Sequence, residues 1–228
     1  RITSRQPELW DPLTGKIRDA RTFRQAGGRT IVPLEFDPAG SMFVIFRRAV
    51  AADAAGDGVR NYPVVSDLMP IEGAWKVRFD PRWGGPEAVE FEHLVSWTER
   101  PEEGIRFYSG AAVYEKTFDL PSGGGKKDRR VLLDLGEVKN IAQVWINGKE
   151  LGIAWTAPFR VDITDALRPA GNRLEIKVVN LWPNRLIGDQ QLPPDQRRTK
   201  TNVTKFTRDS PLLPSGLLGP VRLMEGEE

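Results

Sequence analysis

The stretch that decides the fold runs V-W-I-N-G-K-E-L-G over residues 144–152 and is soon followed by P-F-R-V-D-I-T over residues 158–164. An apolar segment, an Asn-Gly pair and a second apolar segment predict a β-hairpin, because Asn147 and Gly148 tolerate the positive φ angles that a tight turn requires. The second stretch alternates apolar and polar side chains, which is typical of a half-buried strand. These residues alone predict an antiparallel sheet.

The order of these residues resembles the sugar-binding jelly-roll module of many glycoside hydrolases, notably those of family 2. That module carries a W-x-N-G-x-x-x-G hairpin and then a P-F-x-x-D-I-T strand, and the same order occurs here from Trp145 and from Pro158. The resemblance implies an all-β chain, with a galactose-binding-like jelly-roll β-sandwich preceded by a small partial β-sandwich or meander.

Further segments resemble the C-terminal region of bacterial α-L-rhamnosidases of glycoside hydrolase family 106; they are residues 7–12, 108–118, 131–136, 178–189 and 215–223. Enzymes of that family are several times longer, and their catalytic barrel and catalytic acids lie upstream of the matched region. The resemblance therefore implies a fragment of an O-glycosyl hydrolase, periplasmic or secreted, with the upstream catalytic domain as its partner. We expect the first residue to be a cut end.

Composition excludes several classes of protein. The 33 basic and 31 acidic residues nearly balance, and no nucleic-acid reading motif accompanies them, so we expect no nucleic-acid partner. No apolar run is long enough to span a bilayer, so we expect no membrane partner. The absence of cysteine excludes disulfides and Cys-based zinc sites. The single histidine, His93, cannot supply a multi-His metal site, and we interpret it as a surface or hydrogen-bonded strand residue.

Short segments between frequent Pro and Gly residues predict two domains, a partial β-sandwich over residues 1–62 and the jelly-roll domain over residues 68–228. In the first, strands are predicted at 8–11, 16–19, 30–36 and 42–47. In the second, they are predicted near 74–80, 88–95, 111–119, 130–135, 141–147, 159–163, 172–180 and 219–224, with a short helical turn at 165–167. Residues 183–215 lack periodicity and are predicted to form a long functional or interface loop.

The carbohydrate-binding candidates are five residues in or beside loops: Trp155, Trp182, Asn184, Arg185 and Asp189. Aromatic rings stack on the C–H faces of sugars, while nearby polar side chains bind the hydroxyl groups. The alternative for both tryptophans is packing, in the core or against the catalytic domain. Trp75 and Trp145 lie in alternating strands and are predicted to be core residues.

No catalytic residue is predicted, because hydrolysis of glycosides normally needs two carboxyl groups that flank the scissile bond, and the family's pair lies elsewhere. Asp162 is predicted to cap or tether the following turn through Thr164 and Asp165. No cofactor is expected; a structural calcium ion is left open without ligands, since no D-x-D-x-D-G-type loop occurs.

The sequence thus predicts a non-catalytic module of a rhamnosidase-like glycoside hydrolase that binds a plant-derived glycan containing rhamnose or galactose. Two alternatives stay open. One is a free-standing glycoside hydrolase that acts on plant polysaccharides or glycosides through a carboxylate pair. The other is a domain-assembly module that binds no sugar.

Overall fold

A computed structural model describes residues 2–123, 129–202 and 204–227. The chain divides into two compact units, Arg1–Val64 and Val65–Glu228. This division falls between residues 62 and 68, the two boundaries that the sequence predicts. Within the described ranges, no helix is both long and apolar enough to cross a lipid bilayer.

The first unit consists of a three-stranded antiparallel sheet and a separate hairpin. Its strands are β1 (Glu8–Trp10), β2 (Ile17–Asp19), β3 (Arg24–Ala26), β4 (Arg29–Ile31) and β5 (Phe43–Ile45). The sheet order is β2-β1-β5, and β3 pairs with β4 around Gly27 and Gly28, both at positive φ. The predicted strand at 30–36 is wrong beyond Ile31, because residues 24–31 fold back on themselves as this hairpin.

Glu8 is buried in the first unit, where it is held by two arginines. Arg47 Nη2 lies 2.7 Å from Glu8 Oε2, and Arg48 Nε lies 3.2 Å from Oε1. Trp10 Nε1 also donates a hydrogen bond to Oε2. Hydrogen bonding by Arg47, followed by that of Trp10, lowers the pKa of the Glu8 carboxyl to about 2.

The second unit is a β-sandwich of a six-stranded and a four-stranded antiparallel sheet. Its strands are β6 (Val65–Pro70), β7 (Trp75–Arg78), β8 (Val89–Phe91), β9 (Ala111–Phe118), β10 (Arg129–Asp134), β11 (Glu137–Lys139), β12 (Ile141–Ile146), β13 (Lys149–Ala154), β14 (Arg160–Asp162), β15 (Asn172–Val179), β16 (Gly216–Gly219) and β17 (Arg222–Glu227). The orders are β13-β12-β15-β9-β7-β8 and β14-β10-β17-β6, and β11 pairs with β16. The predicted all-β sandwich is confirmed.

The core lies between the two sheets because alternate side chains of each strand point inward. Val144 and Ile176 of the large sheet and Leu133 of the small sheet belong to one buried cluster. Trp75 is in this cluster, as predicted, whereas the prediction for Trp145 is wrong. The inward positions of β12 are taken by the residues on either side of Trp145 in the sequence, which leaves its ring half-buried on the outer face.

The hairpin predicted from the Asn-Gly pair is confirmed. Asn147 (φ 54°) and Gly148 (φ 82°) form the turn between β12 and β13. The predicted tether at Asp162 is also present, since its Oδ1 accepts hydrogen bonds from the backbone N–H and the hydroxyl of Thr164. A 3-10 turn follows at Thr164–Ala166, close to the predicted helical turn.

Several elements were not predicted. Residues 183–215 are not a loop throughout, because helix α2 (Pro183–Asp189) forms at their start. Pro183 suits the first helical turn, where its missing N–H costs nothing, and Ile187 is buried. Helix α1 (Glu103–Arg106) and strands β6, β11 and β16 are too short, or too little alternating, to be recognised in the sequence.

Candidate functional site

The predicted tryptophans lie in segments that leave the same end of the six-stranded sheet. Ala142 of β12 pairs with Ala154 on one side and with Val178 on the other. Trp155 directly follows Ala154, and Trp182 lies four residues after Val178. We call this edge the loop end of the sheet.

The two rings differ in what surrounds them. Trp155 is 58% exposed and follows the outer-face position of Ile153 by two residues. Trp182 is 51% exposed, precedes α2 and meets Trp83 edge-on, with ring centroids 5.5 Å apart. Trp83 and Trp182 together form what we call the aromatic platform.

Sequence reasoning missed Trp83. It ends a 3-10 turn, Pro81–Trp83, in which Asp80 accepts a hydrogen bond from the backbone N–H of Arg82 and Gly84 closes the turn at φ 88°. The D-P-R-W-G-G pattern signals this turn, but nothing in it indicates that the ring faces Trp182.

The other three predicted site residues lie inside the domain. Asn184 is 1% exposed; its Nδ2 donates hydrogen bonds to the carbonyl of Leu213 and to Ser215 Oγ, and its Oδ1 accepts one from the backbone N–H of Leu213. These bonds attach α2 to the segment before β16. In this structure the Asn184 amide is therefore occupied by the protein itself and not offered to a ligand.

Arg185 and Asp189 form a buried ion pair along α2. Arg185 Nε lies 3.0 Å from Asp189 Oδ1, although the two atoms lack the direction of a good hydrogen bond. Asp189 Oδ2 accepts hydrogen bonds from the backbone N–H and hydroxyl of Thr199. Burial lowers the pKa of the Arg185 guanidinium, and the Asp189 charge opposes that change. Both side chains fix the helix and the segment after it.

Two open cavities flank α2. The first, which we call the α1–α2 cleft, has a volume of about 550 Å³ and reaches from α1 to the segment before β16. The second has a volume of about 490 Å³ and lies on the side of residues 197–208; its lining includes Arg197, Thr199, Thr204, Phe206 and Thr207. Both volumes suit a small ligand such as a sugar unit.

Neither cavity contains the pair of carboxyl groups that glycoside hydrolysis uses. The α1–α2 cleft has one carboxylate, that of Glu103, and the second cavity has that of Asp189, which is already engaged. His93 is exposed, but it lies in a bend after β8, so its predicted strand position is wrong because β8 ends at Phe91. In the part of the chain that the structure describes, no group of three or more His, Cys, Asp or Glu side chains could hold a metal ion.

Comparison with known proteins identifies the domain. The model of the family described as "Glycosyl hydrolase 2 galactose-binding domain-like" matches residues 98–212, half of the 228-residue chain. The chain belongs to this family. The matched range contains the hairpin, helix α2 and most of both cavities, so the predicted likeness to the family 2 module is confirmed.

Large glycoside hydrolases are among the proteins that are similar to this galactose-binding-like domain. The rhamnosidase from Novosphingobium sp. PP1Y is 41% identical over 99% of this chain and 21% of its own, with a TM-score of 0.88. A protein of Formosa agariphila that is predicted to be a β-glucuronidase is 39% identical over 70% of this chain and 16% of its own length. A β-glucuronidase of Paenibacillus borealis is 27% identical over 58% of this chain and 24% of its own length.

The chain therefore spans only 16% to 24% of the length of these relatives. The predicted likeness to rhamnosidases is confirmed by the match along almost the whole chain. Assignment to family 106 stays a prediction.

Proposed function

We propose that this galactose-binding-like domain is a non-catalytic accessory module of a rhamnosidase-like glycoside hydrolase and contacts carbohydrate at the loop end of the six-stranded sheet. The likeness to a rhamnosidase over 99% of this chain, but only 21% of that enzyme, supports the accessory role. The glycan would be plant-derived, with rhamnose or galactose units, and the parent enzyme would be periplasmic or secreted.

The aromatic platform is the observation that carries the carbohydrate role. The Trp182 ring is half exposed, and its edge contact with Trp83 and its place directly before α2 restrict its orientation. A ring that is already ordered loses little conformational freedom when a sugar stacks on it. Core packing would instead bury this ring.

The cavities support the non-catalytic part of the proposal. Each has a single carboxylate in its lining, and that of Asp189 is held by Arg185 and Thr199. A hydrolase acting through a carboxylate pair would need a second acid across the pocket.

Titration of the 228-residue chain with rhamnose, galactose and plant oligosaccharides tests the carbohydrate role, with tryptophan fluorescence and NMR shifts as readouts. We expect saturable, millimolar binding, which corresponds to only about 4 kcal/mol, because an open site desolvates few groups. Absence of saturable shifts with every sugar would refute it.

A second function, domain assembly, is favoured by a separate observation on the outer face of the large sheet. Five exposed apolar side chains come from neighbouring positions on β12, β13, β15 and the segments after them: Ile141, Ile153, Trp155, Val179 and Leu181. Contiguous exposed apolar surface commonly marks an interaction site. In this alternative, Trp155 contacts the catalytic domain and not a sugar.

Hydrogen exchange tests the assembly function. If the outer face binds the catalytic domain, amides of β13 and the following segment exchange more slowly in the parent enzyme than in the isolated chain. If exchange there is equal in both, the assembly function is refuted for this face.

A further inference from the structure

The α1–α2 cleft is lined by both apolar and polar side chains, whereas the aromatic platform consists of two tryptophan rings. Its apolar part comes from Phe107, Ile187, Pro211 and Leu212, and its polar rim includes Thr98, Gln191 and Ser210. The exposed lining is more polar than apolar, which suits a ligand rich in hydroxyl groups, and a volume of about 550 Å³ lies within the range of about 300–1,000 Å³ that is typical of small-molecule sites.

The cleft carries more positive than negative charge, as the second cavity also does with Arg197, Arg208 and Asp189. Arg106 and Arg208 both line the cleft, against the single carboxylate of Glu103. Across the ranges 2–123, 129–202 and 204–227, neither arginine takes part in an ion pair. In the same unit, Arg160 and Arg222 pair with Asp134, whereas Arg168, Arg197 and Arg198 form no ion pair among the described residues. The cleft therefore offers two guanidinium groups that form no ion pair with any carboxylate of the described residues, although Glu103 also lines it.

Both walls of the cleft are held in place. The Arg106 guanidinium lies over the Phe107 ring, 5.6 Å from its centroid. Gln191 Nε2 donates a hydrogen bond to the carbonyl of Arg208, 2.9 Å away, which connects the end of α2 to the opposite wall. A Cβ at Gly188 would lie 2.6 Å from Phe107 Cβ, so the absence of a side chain there lets α2 approach Phe107 closely.

We propose that the α1–α2 cleft binds a sugar ring that carries an anionic group, a carboxylate or a sulfate, and that Arg106 and Arg208 bind that group. The planar guanidinium presents two parallel N–H groups to two oxygens of a carboxylate or a sulfate and forms charge-assisted hydrogen bonds with them. The hydroxyls of Thr98 and Ser210 and the carboxylate of Glu103 then bind sugar hydroxyls, while Phe107 and Leu212 contact the ring. This inference rests on the proposed carbohydrate role and names its ligand class.

NMR titration of the 228-residue chain tests this with three ligands that share one ring: galactose, galacturonate and galactose 6-sulfate. We expect at least one of the two anionic sugars to bind tenfold or more tightly than galactose and to shift amides of α1 and residues 208–212. Which anionic sugar binds more tightly identifies the anionic group. Inorganic sulfate alone, at equal concentration, should bind at least tenfold more weakly than the anionic sugar that binds more tightly.

The variants Arg106→Gln and Arg208→Gln should each weaken binding of the anionic sugar about tenfold, because each removes one charge-assisted contact. Arg60→Gln, which removes an exposed guanidinium from the first unit, is the matched control and should stay within twofold. Unchanged melting of the three variants excludes unfolding as the cause.

Four results would overturn the inference. Equal affinity for galactose and both anionic sugars, or unchanged binding in both cleft variants, would leave carbohydrate binding intact but reject the anionic ligand. Inorganic sulfate binding as tightly as the sugars would show a simple anion site. If no sugar of any charge binds, the inference and the proposed carbohydrate role both fail.

Discussion

Arg185 and Asp189 pair one helical turn apart in α2, Nε to Oδ1 at 3.0 Å, with only 6% and 3% of their side chains exposed. Asp189 lines the second cavity, and its second oxygen joins α2 to residue 199. The position of α2 beside this cavity thus depends on a buried charge pair, whose loss leaves the remaining charge without a counter-ion.

Asp189→Asn should therefore destabilise the second unit by about 3–5 kcal/mol, because Arg185 stays charged in a buried site. Urea unfolding followed by near-ultraviolet circular dichroism measures the change. Asp195→Asn, at an exposed position in the segment that follows α2, should change stability by less than about 0.5 kcal/mol. Equal midpoints for Asp189→Asn and the wild type would contradict the structural role of the pair.

Trp182→Ala should weaken sugar binding without changing the cooperative melting of the domain, because half of the ring is exposed. Trp75→Ala, by contrast, should cost about 3–5 kcal/mol, since it empties a core position. Fluorescence titration and thermal melts of both variants check this. If Trp182→Ala melts as low as Trp75→Ala, the ring is a core residue and the platform is misassigned.

Trp155→Ala separates the carbohydrate role of this ring from an assembly role. If Trp155 contacts sugar, the variant weakens sugar binding in the isolated chain while melting is retained. If it contacts another domain, sugar binding is unchanged and the variant loosens the parent enzyme, as limited proteolysis would show. Loss of the melting transition itself would contradict both roles.

Stability of the first unit should fall in acid through Glu8. Its pKa is about 2 when folded, below the ordinary value of 4.5, so its ion pairs stabilise the fold above pH 4.5. That contribution is lost as the pH falls from about 4.5 to 2, where the folded form also becomes protonated. Glu8→Gln should be less stable than the wild type at pH 6, and the difference should vanish near pH 2. A difference independent of pH would contradict this account.

The isolated chain should not hydrolyse simple rhamnosides. Each cavity beside α2 has a single carboxylate in its lining, whereas the reaction normally uses two. Release of nitrophenol from a nitrophenyl rhamnoside, measured before and after repurification, checks this. Turnover that persists and disappears in Glu103→Gln would reverse the conclusion.

Residues 65–228 should melt cooperatively by themselves, whereas residues 1–62 should not. The second unit closes one core between two sheets, but the sheet of the first unit has only three strands of three residues each. Separate expression of both segments, with differential scanning calorimetry, checks this. A cooperative transition in residues 1–62 would contradict it.

Local chemistry determined much of the fold in advance. Asn147 and Gly148 accept the φ angles of a tight turn whatever surrounds them, so the hairpin was predictable. The alternation around Val161 likewise indicated a strand, and Asp162 could reach Thr164 because the two are neighbours in the chain. Such features need only the residues that form them.

Tertiary structure decided the rest, because the remaining features depend on residues far apart in the sequence. The facing sheet decides which alternate side chains of β12 point inward, and it thereby leaves Trp145 on the outer face. The contact of Trp182 with Trp83 joins residues about a hundred positions apart in the sequence. Arg106 and Arg208 line the same cleft only because α1 and the segment before β16 both lie beside α2 in the folded domain. Burial and charge pairing at these places come from packing that no short stretch of sequence contains.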